Sequence, residues 1–203
     1  MNFFKSTEFH KKYWRERKLN WQTAYLDTWN HPHRYLITAL LKQFNWLSLI
    51  EIGCGSGANL MNILKSIPNR QVGGVDVNPE AIELANKTFK GGLFKVNSAD
   101  DIMLSDKSAD VILSDMTLIY VGPMQIGKYI QEMKRIARNY VLLCEFDSVS
   151  FWERLWLKVV SGYNSYDYKE LLTRYGFYDI IKIKIPEEAW PGSDRNQPFR
   201  YLI

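Results

Sequence analysis

The chain has 203 residues, 46% of them hydrophobic, which suits one globular domain with a sizeable core. It has no run near the ~18 apolar residues of a membrane span, and residues 1–12 lack the apolar segment of a secretory signal. Residues 1–34 hold seven of the 26 basic and three of the 22 acidic side chains, so the net charge of +4 is local and too small to indicate nucleic acid. The two cysteines have no metal-ligand spacing, and we expect a reduced, cytoplasmic protein with no metal site.

An aromatic and basic segment comes first. Over residues 6–29, aromatic residues recur at spacings of three and four, which predicts a helix. Lysines and arginines lie between them, so the segment is either an arm that packs its rings on the domain or a surface that stacks on RNA bases. We favour the packed arm. The aromatic positions are Phe9, Tyr13, Trp14, Trp21, Tyr25 and Trp29.

Strand and helix patterns then alternate along the chain. Helical patterns begin near residues 32, 58, 79 and 123. Such alternation predicts βαβ units and a doubly wound, mostly parallel sheet with helices on both faces. The predicted strands are residues 47–52, 71–77, 93–96, 109–114 and 140–144.

The end of the chain changes character. After a predicted helix at 168–175, residues 177–185 and 199–203 suit two strands with no helix between them. A parallel pairing needs a crossover, so the predicted seven-stranded sheet ends in an antiparallel strand. We expect the apolar stripe of residues 151–160 to pack over the sheet; alternatively, it caps an apolar substrate or touches a membrane surface.

We predict a single domain over residues 1–203. Residues 1–45 form its N-terminal helical arm or lid, residues 46–147 its cofactor-binding core, and residues 148–203 its substrate side.

The stretch from Leu47 to Leu60 reads as a strand, a turn with three glycines and the start of a helix. Gly53, Gly55 and Gly57 permit a sharp turn and leave no Cβ between the main chain and a ligand. The helix that follows offers unpaired N–H groups and the positive end of its dipole. The stretch therefore predicts a site for a nucleotide-like molecule.

Asp76 ends the second predicted strand, 23 residues after Gly53. An acid near this offset reaches ribose hydroxyls in dinucleotide sites. The glycine pattern also satisfies the relaxed dinucleotide form, with Ala58 as its last residue, so an NAD-dependent enzyme stays open at this point.

Three segments together resemble the class I S-adenosylmethionine-dependent methyltransferases over nearly all of residues 31–203. They are Leu49–Ala58, Gly74–Ile82 and Ser108–Asp115. The resemblance implies a Rossmann-like methyltransferase fold with S-adenosylmethionine as the methyl donor.

The resemblance also implies cofactor-binding roles for particular residues. The turn that includes Cys54 would approach the methionine part, Glu51 its ammonium group, Asp76 the ribose, and Val77 the adenine. Candidates for the contact with the adenine amino group are Ser98, Ala99 and Asp100, where the family often has an acid. Ser114 and Asp115 would line the passage to the methyl group.

Where the methyl acceptor is a hydroxyl or an amine, a base that removes its proton assists the transfer. The candidates are Asp115, Tyr120, Glu145, His31 and His33, and the sequence does not choose among them. Arg34 or a histidine could reach the donor's carboxylate, and we expect the Trp190-Pro191-Gly192 segment to border the acceptor pocket.

We interpret the chain as an enzyme that methylates a small molecule by in-line transfer. The alternatives are an RNA methyltransferase that uses the basic aromatic arm, and a non-catalytic module that binds a nucleotide-like ligand. Against RNA, Ser114–Thr117 lacks the Asn-Pro-Pro-Tyr-type run of many enzymes that act on base amino groups.

Overall fold

The computed structural model describes residues 6–190 and 199–203, and a seven-stranded sheet forms its centre. The strands are β1 (Ser48–Ile52), β2 (Gln71–Asp76), β3 (Leu93–Val96), β4 (Ala109–Asp115), β5 (Ala137–Phe146), β6 (Ile183–Lys184) and β7 (Arg200–Leu202). The α-helices are α1 (Thr7–Glu16), α2 (Trp21–Ala24), α3 (Pro32–Leu41), α4 (Ala58–Ser66), α5 (Pro79–Thr88), α6 (Ile126–Ile136), α7 (Phe151–Ser161) and α8 (Tyr168–Arg174).

The sheet has the order β3-β2-β1-β4-β5-β7-β6. β1 pairs in parallel with both β2 and β4, and β7 runs antiparallel to β5 and β6. This confirms the predicted mostly parallel sheet with an antiparallel last strand. Chain order reverses at β1 and β4, so a crevice opens at their carboxyl ends, where ligands bind in such folds.

The core lies on both faces of the sheet. Leu49 of β1 belongs to one buried cluster, with α3, α4 and α5, and Ile50 and Ile52 to the other, with α6 and α8. This accounts for the continuous apolar runs of the central strands.

The sixth strand is much shorter than predicted. Only Ile183 and Lys184 of the predicted strand 177–185 pair in the sheet. Asp179 adopts a left-handed conformation (φ 54°), and Tyr178 is 85% exposed, so the segment that precedes Ile183 does not extend as a strand, although Phe177 and Ile180 pack against the core.

The predicted single arm helix is in fact broken. α1 begins after the N-cap Ser6 and ends at Glu16, and α2 begins after a second cap, Asn20. The side chain of Asn78, two residues after β2, donates to the carbonyls of Trp14 in α1 (2.8 Å) and of Arg17 at the end of α1 (3.0 Å). The arm is thus held across the carboxyl edge of the sheet.

The apolar stripe on α7 does not pack over the sheet, contrary to our expectation. Leu157 alone is buried in this helix, whereas Trp152 is 74% exposed. Leu157 packs with Ile119 and Phe146, beside the loop after β4, so that one side of the helix is covered. The exposed apolar residues are Phe151, Trp152, Leu155, Trp156, Val159 and Val160, which span about 180° of the helix. In the described part of the chain, no helix is long and apolar enough to span a membrane.

Candidate active site

A cavity of about 270 Å³ lies where the carboxyl ends of β1, β2 and β4 meet the arm. The arm forms its outer wall, with Trp14, Trp21 and Tyr25 among the lining residues. The lining also includes many of the predicted cofactor-binding residues, namely Glu51, Gly53, Cys54, Gly55, Asp76, Val77, Ser98, Ala99 and Asp115 at or after the strand ends, and Arg34 of α3.

The glycine turn bends sharply beneath the cavity. The N–H groups of Gly53 and Cys54 both donate to the carbonyl of Val75 (2.8 and 3.1 Å), which ties the turn to β2. Gly53 has φ 71°, and a Cβ there would lie 2.1 Å from Thr117 Oγ1, so both the conformation and the space require glycine. Gly57 is the N-cap of α4 and faces Phe89, outside the cavity lining.

Asp76 is fixed by main-chain amides. Its Oδ2 accepts from Gly55 N (2.9 Å) and its Oδ1 from Asn78 N (2.8 Å). Burial raises the pKa of this carboxyl, although these amides partly oppose the shift. Each carboxylate oxygen has a further acceptor site, so Asp76 can hold a vicinal diol at the cavity wall.

Glu51 and Asp115 flank one amide side chain. Asn59 Nδ2 lies 2.5 Å from Glu51 Oε1 and 2.9 Å from Asp115 Oδ2. The other two carboxylate oxygens, Glu51 Oε2 and Asp115 Oδ1, are buried with no hydrogen-bond partner among the described residues. Burial raises the pKa of Glu51 to about 8. Two buried oxygens without partners, on carboxyl groups that share Asn59, predict a ligand with N–H donors and a positive charge.

Asp115 is also bound by cationic and imidazole groups from α3. His33 Nε2 lies 2.9 Å and Arg34 Nη1 3.3 Å from its Oδ2. Arg34 is held in turn, since its Nε donates to the carbonyl of Thr28 (3.1 Å) and its Nη1 to Asn59 Oδ1 (2.6 Å). The sequence had pointed to Arg34, but not to its link with Asp115.

Glu145 and Ser114 lie outside the cavity lining, contrary to their predicted roles. Glu145 Oε1 accepts from Ser114 Oγ (2.7 Å) and from the amides of Thr117 and Leu118 (both 3.0 Å). Glu145 therefore fixes the loop after β4 rather than facing a substrate. Burial raises its pKa to about 7.

Two further candidates have mixed outcomes. Asp100 is not part of the cavity lining, because it forms an ion pair with Lys11 of the arm (2.8 Å) and accepts from Ser98. Tyr120 does line the cavity, but burial raises its pKa far above the usual value, which disfavours ionisation.

Sequence reasoning missed several residues that the structure places in the site. Asn59 stands in the first turn of α4, and helix starts after a glycine turn point toward the ligand, so its position alone could have identified it. Lys11, Trp14 and Trp21 reach the cavity only because the arm folds back, and no local pattern shows this. Trp190 lines the cavity as expected, while Pro191 and Gly192 lie outside the described residues.

The lining suits S-adenosylmethionine, which carries an amino group, a carboxylate, a sulfonium and a ribose. The orphan oxygens of Glu51 and Asp115 match the amino group, Arg34 matches the carboxylate, and Asp76 matches the ribose diol. In the described ranges, no group of three or more His, Cys, Asp or Glu side chains could hold a metal ion.

Comparisons with known proteins find similarity to methyltransferases. Residues 49–139 match the family described as methyltransferase domain. The carboxy-S-adenosyl-L-methionine synthase 1 of Yersinia pseudotuberculosis is 23% identical over an alignment of 111 residues, which covers 50% of this chain and 46% of that protein. The match therefore spans about half the length of this curated relative.

Solved structures share the fold. An S-adenosylmethionine-dependent methyltransferase from Archaeoglobus fulgidus superposes with a TM-score of 0.58 at 18% identity, over 76% of this chain and 73% of that chain. One from Thermotoga maritima gives 0.61 at 20% identity, over 87% and 92%. Residues 49–139, fewer than half of the chain, are thus similar to a methyltransferase domain, and S-adenosylmethionine-dependent methyltransferases of known structure share the fold.

Proposed function

We propose that the chain transfers the methyl group of S-adenosylmethionine to a small-molecule acceptor. The observation that supports a small-molecule acceptor is the small cavity beneath the arm. The arm residues Trp14, Trp21 and Tyr25 line it, and its volume of about 270 Å³ is at the small end of the range for ligand pockets. Such a space suits a donor and a compact acceptor better than a folded macromolecule.

The residues of the site act mainly by alignment. S-adenosylmethionine carries its methyl group on a positively charged sulfonium. When the methyl group is transferred, the sulfur leaves as a neutral thioether. Glu51 and Asp115 hold the amino group, Arg34 the carboxylate, and Asp76 the ribose, so the groups on either side of the donor's sulfonium are fixed in the cavity. Orientation of this kind contributes up to roughly 7–11 kcal/mol in favourable cases.

Replacement of Asp76 tests the donor site. We expect Asp76→Ala to weaken binding of S-adenosylmethionine and S-adenosylhomocysteine by roughly 10- to 100-fold, since a hydrogen bond to a charged group contributes about 1.5–3 kcal/mol. Isothermal calorimetry measures both affinities. Glu83→Gln, at an exposed position of α5, is the control and should bind like the wild type. Unchanged affinity in Asp76→Ala would overturn the donor site.

One observation favours an RNA acceptor as the second candidate. On the outer side of α1, Phe9 and Tyr13 are stacked (6.5 Å, 11°) and both more than 40% exposed, with Arg17 over the Tyr13 ring at 5.0 Å. Such a surface could stack on bases. RNA binding that falls steeply with salt and is lost in Tyr13→Ser would favour this candidate.

A further inference from the structure

The outward side of α7 carries an apolar surface, which we call the α7 surface. The charged side chains of the helix are engaged elsewhere. Arg154 and Lys158 donate to nearby main-chain carbonyls, at 2.8 and 3.1 Å, and Glu153 accepts from Ser148 Oγ (2.5 Å). The α7 surface itself carries no charge, since it consists of six apolar side chains that are 36–74% exposed: Phe151, Trp152, Leu155, Trp156, Val159 and Val160.

The α7 surface is large for a monomer. With these exposed fractions, its six side chains present on the order of 600 Å² to solvent, at the top of the range of about 300–600 Å² for the largest apolar patch of a typical monomer. Two of the six are tryptophans, which are enriched where an apolar phase meets water. The helix therefore presents a surface that suits an apolar partner.

The helix stands beside the donor cavity. Its buried residue Leu157 belongs to a small cluster with Ile119 and Phe146. Met116 and Tyr120 pack against the same cluster, and both also line the cavity. A partner on the α7 surface would thus lie near the carboxyl edge of the sheet.

The excess positive charge of the chain belongs to the arm. Residues 1–34 carry a net charge of +4, which equals that of the whole chain. Lys12 and Arg15 of α1 are exposed, and neither forms an ion pair within the described part of the chain. These two cations are therefore available to an anionic partner.

Tyr120 connects the basic arm with α7. Its ring lies 5.5 Å from that of Trp14 in α1 and 5.6 Å from that of Tyr163, the second residue after α7. The arm and the end of α7 therefore meet at one side chain, close enough for one extended partner to contact both.

A lipid surface fits both features, whereas a second copy of the chain fits one. Pairing of two α7 surfaces would bury roughly 1,200 Å², the lower limit for specific interfaces, and would leave the charge of the arm unmatched. A helix with Trp and Phe on its apolar side can bind at the boundary between headgroups and acyl chains, and cations beside it attract anionic headgroups.

We propose that the α7 surface inserts into the outer layer of an anionic lipid bilayer while the basic arm binds the headgroups beside it. The helix lies parallel to the bilayer, and the sheet stays outside it. The inference concerns a surface outside the donor cavity, so it stands or falls independently of the proposed methyl transfer.

Vesicle co-sedimentation tests both parts of the surface. Vesicles of phosphatidylcholine mixed equally with phosphatidylglycerol should bind the wild-type protein. We expect Trp152→Ser/Trp156→Ser to weaken this binding by at least roughly 30-fold, because two large apolar side chains no longer insert. Lys12→Gln/Arg15→Gln should weaken it by roughly 30-fold and leave binding to pure phosphatidylcholine unchanged.

Leu47→Ser is the matched control. Leu47 is an apolar residue that is 65% exposed, but it precedes β1 and so lies at the opposite edge of the sheet. The variant should bind vesicles like the wild type. All of these variants alter exposed side chains outside the cavity lining, and wild-type affinity for S-adenosylhomocysteine in calorimetry would show that they are folded.

Fluorescence quenching locates the inserted side chains. Lipids with brominated acyl chains quench tryptophans that reach them, and we expect them to quench the wild-type protein on mixed vesicles. Trp152→Phe/Trp156→Phe keeps the surface apolar, so it should still bind these vesicles but show much less quenching.

Three results would overturn the proposal. The wild-type protein could stay in the supernatant, Trp152→Ser/Trp156→Ser could bind like the wild type, or Leu47→Ser could lose binding equally. A wild-type dimer that binds no vesicles and becomes a monomer in Trp152→Ser/Trp156→Ser, measured by analytical ultracentrifugation, would overturn it in favour of a second copy.

Discussion

Glu51 makes the stability of the free protein depend on pH in an unusual direction. Its folded pKa, about 8, lies above the ordinary value of 4.5 because the carboxyl is buried. Folding therefore favours the protonated form, and the contribution of Glu51 to stability is complete below pH 4.5 and is lost as the pH rises through 8. A ligand cation beside the carboxyl would reverse this effect.

We expect Glu51→Gln to raise the melting temperature at pH 9 by about 2–4 °C, which corresponds to about 1 kcal/mol in a chain of this size, and to change it little at pH 5. Glutamine keeps an acceptor for Asn59 without the charge. The same variant should bind S-adenosylmethionine more weakly at both pH values. Differential scanning calorimetry at the two pH values measures the first effect, and equal shifts at both would contradict it.

The residues that the sequence identified share one property: their function depends on their position within a local element. Gly53 and Asp76 could be found because a turn after one strand and an acid at the end of the next are set by short chain segments. Glu145 shows the limit. An acid at a strand end can face the ligand or turn inward to fix a loop, and only the packing of β4 against β5 decided between these.

Among the helices, α7 carries both a buried residue that stabilises the fold and exposed apolar residues that do not. Leu157 is fully buried, while Trp152, the most exposed residue of the helix face, contacts solvent. We expect Leu157→Ala to lower the free energy of unfolding by about 2–5 kcal/mol and Trp152→Ala to change it by less than about 0.5 kcal/mol. Urea denaturation of the two variants provides the comparison, and a larger loss for Trp152→Ala would contradict the exposed placement.

The error on α7 has a physical origin. A helical apolar stripe shows which side of a helix avoids polar residues, but not whether the fold supplies a surface for that side. The alternation of strands and helices between β1 and β5 predicted the architecture more reliably. A parallel sheet needs helices on both faces, and the chain provides them in order. The prediction of the sixth strand was wrong over most of its length, because its apolar residues have no partner strand before Ile183.

For the whole molecule, the sequence predicted the sheet and the edge at which the site lies, but not how the arm closes over it. The contacts that hold the arm join residues far apart in the chain: Lys11 with Asp100, Asn78 with the carbonyl of Trp14, and Ser56 with that of Trp21 (3.0 Å). Charge and periodicity within the arm carry no information about such pairs.

The arm that lies over the cavity also bears on how fast ligands exchange. Trp14 and Trp21 of the arm line the cavity, so we expect donor and product to exchange faster when the arm opens. A ligand that binds only the closed form raises the free energy of opening. At a concentration 100 times its Kd, the increase is about 2.7 kcal/mol, and the open population falls roughly 100-fold.

The rate of trypsin cleavage measures how often the arm opens. Three trypsin sites lie at the end of α1 and the start of the next loop, namely Arg15, Arg17 and Lys18. We expect saturating S-adenosylhomocysteine to slow cleavage there by roughly 100-fold, and Lys11→Ala to speed it in the absence of ligand. Cleavage after the exposed Lys90 is the reference within the same sample. Equal cleavage of the arm with and without ligand would mean that exchange takes another route, and product would then leave without waiting for the arm.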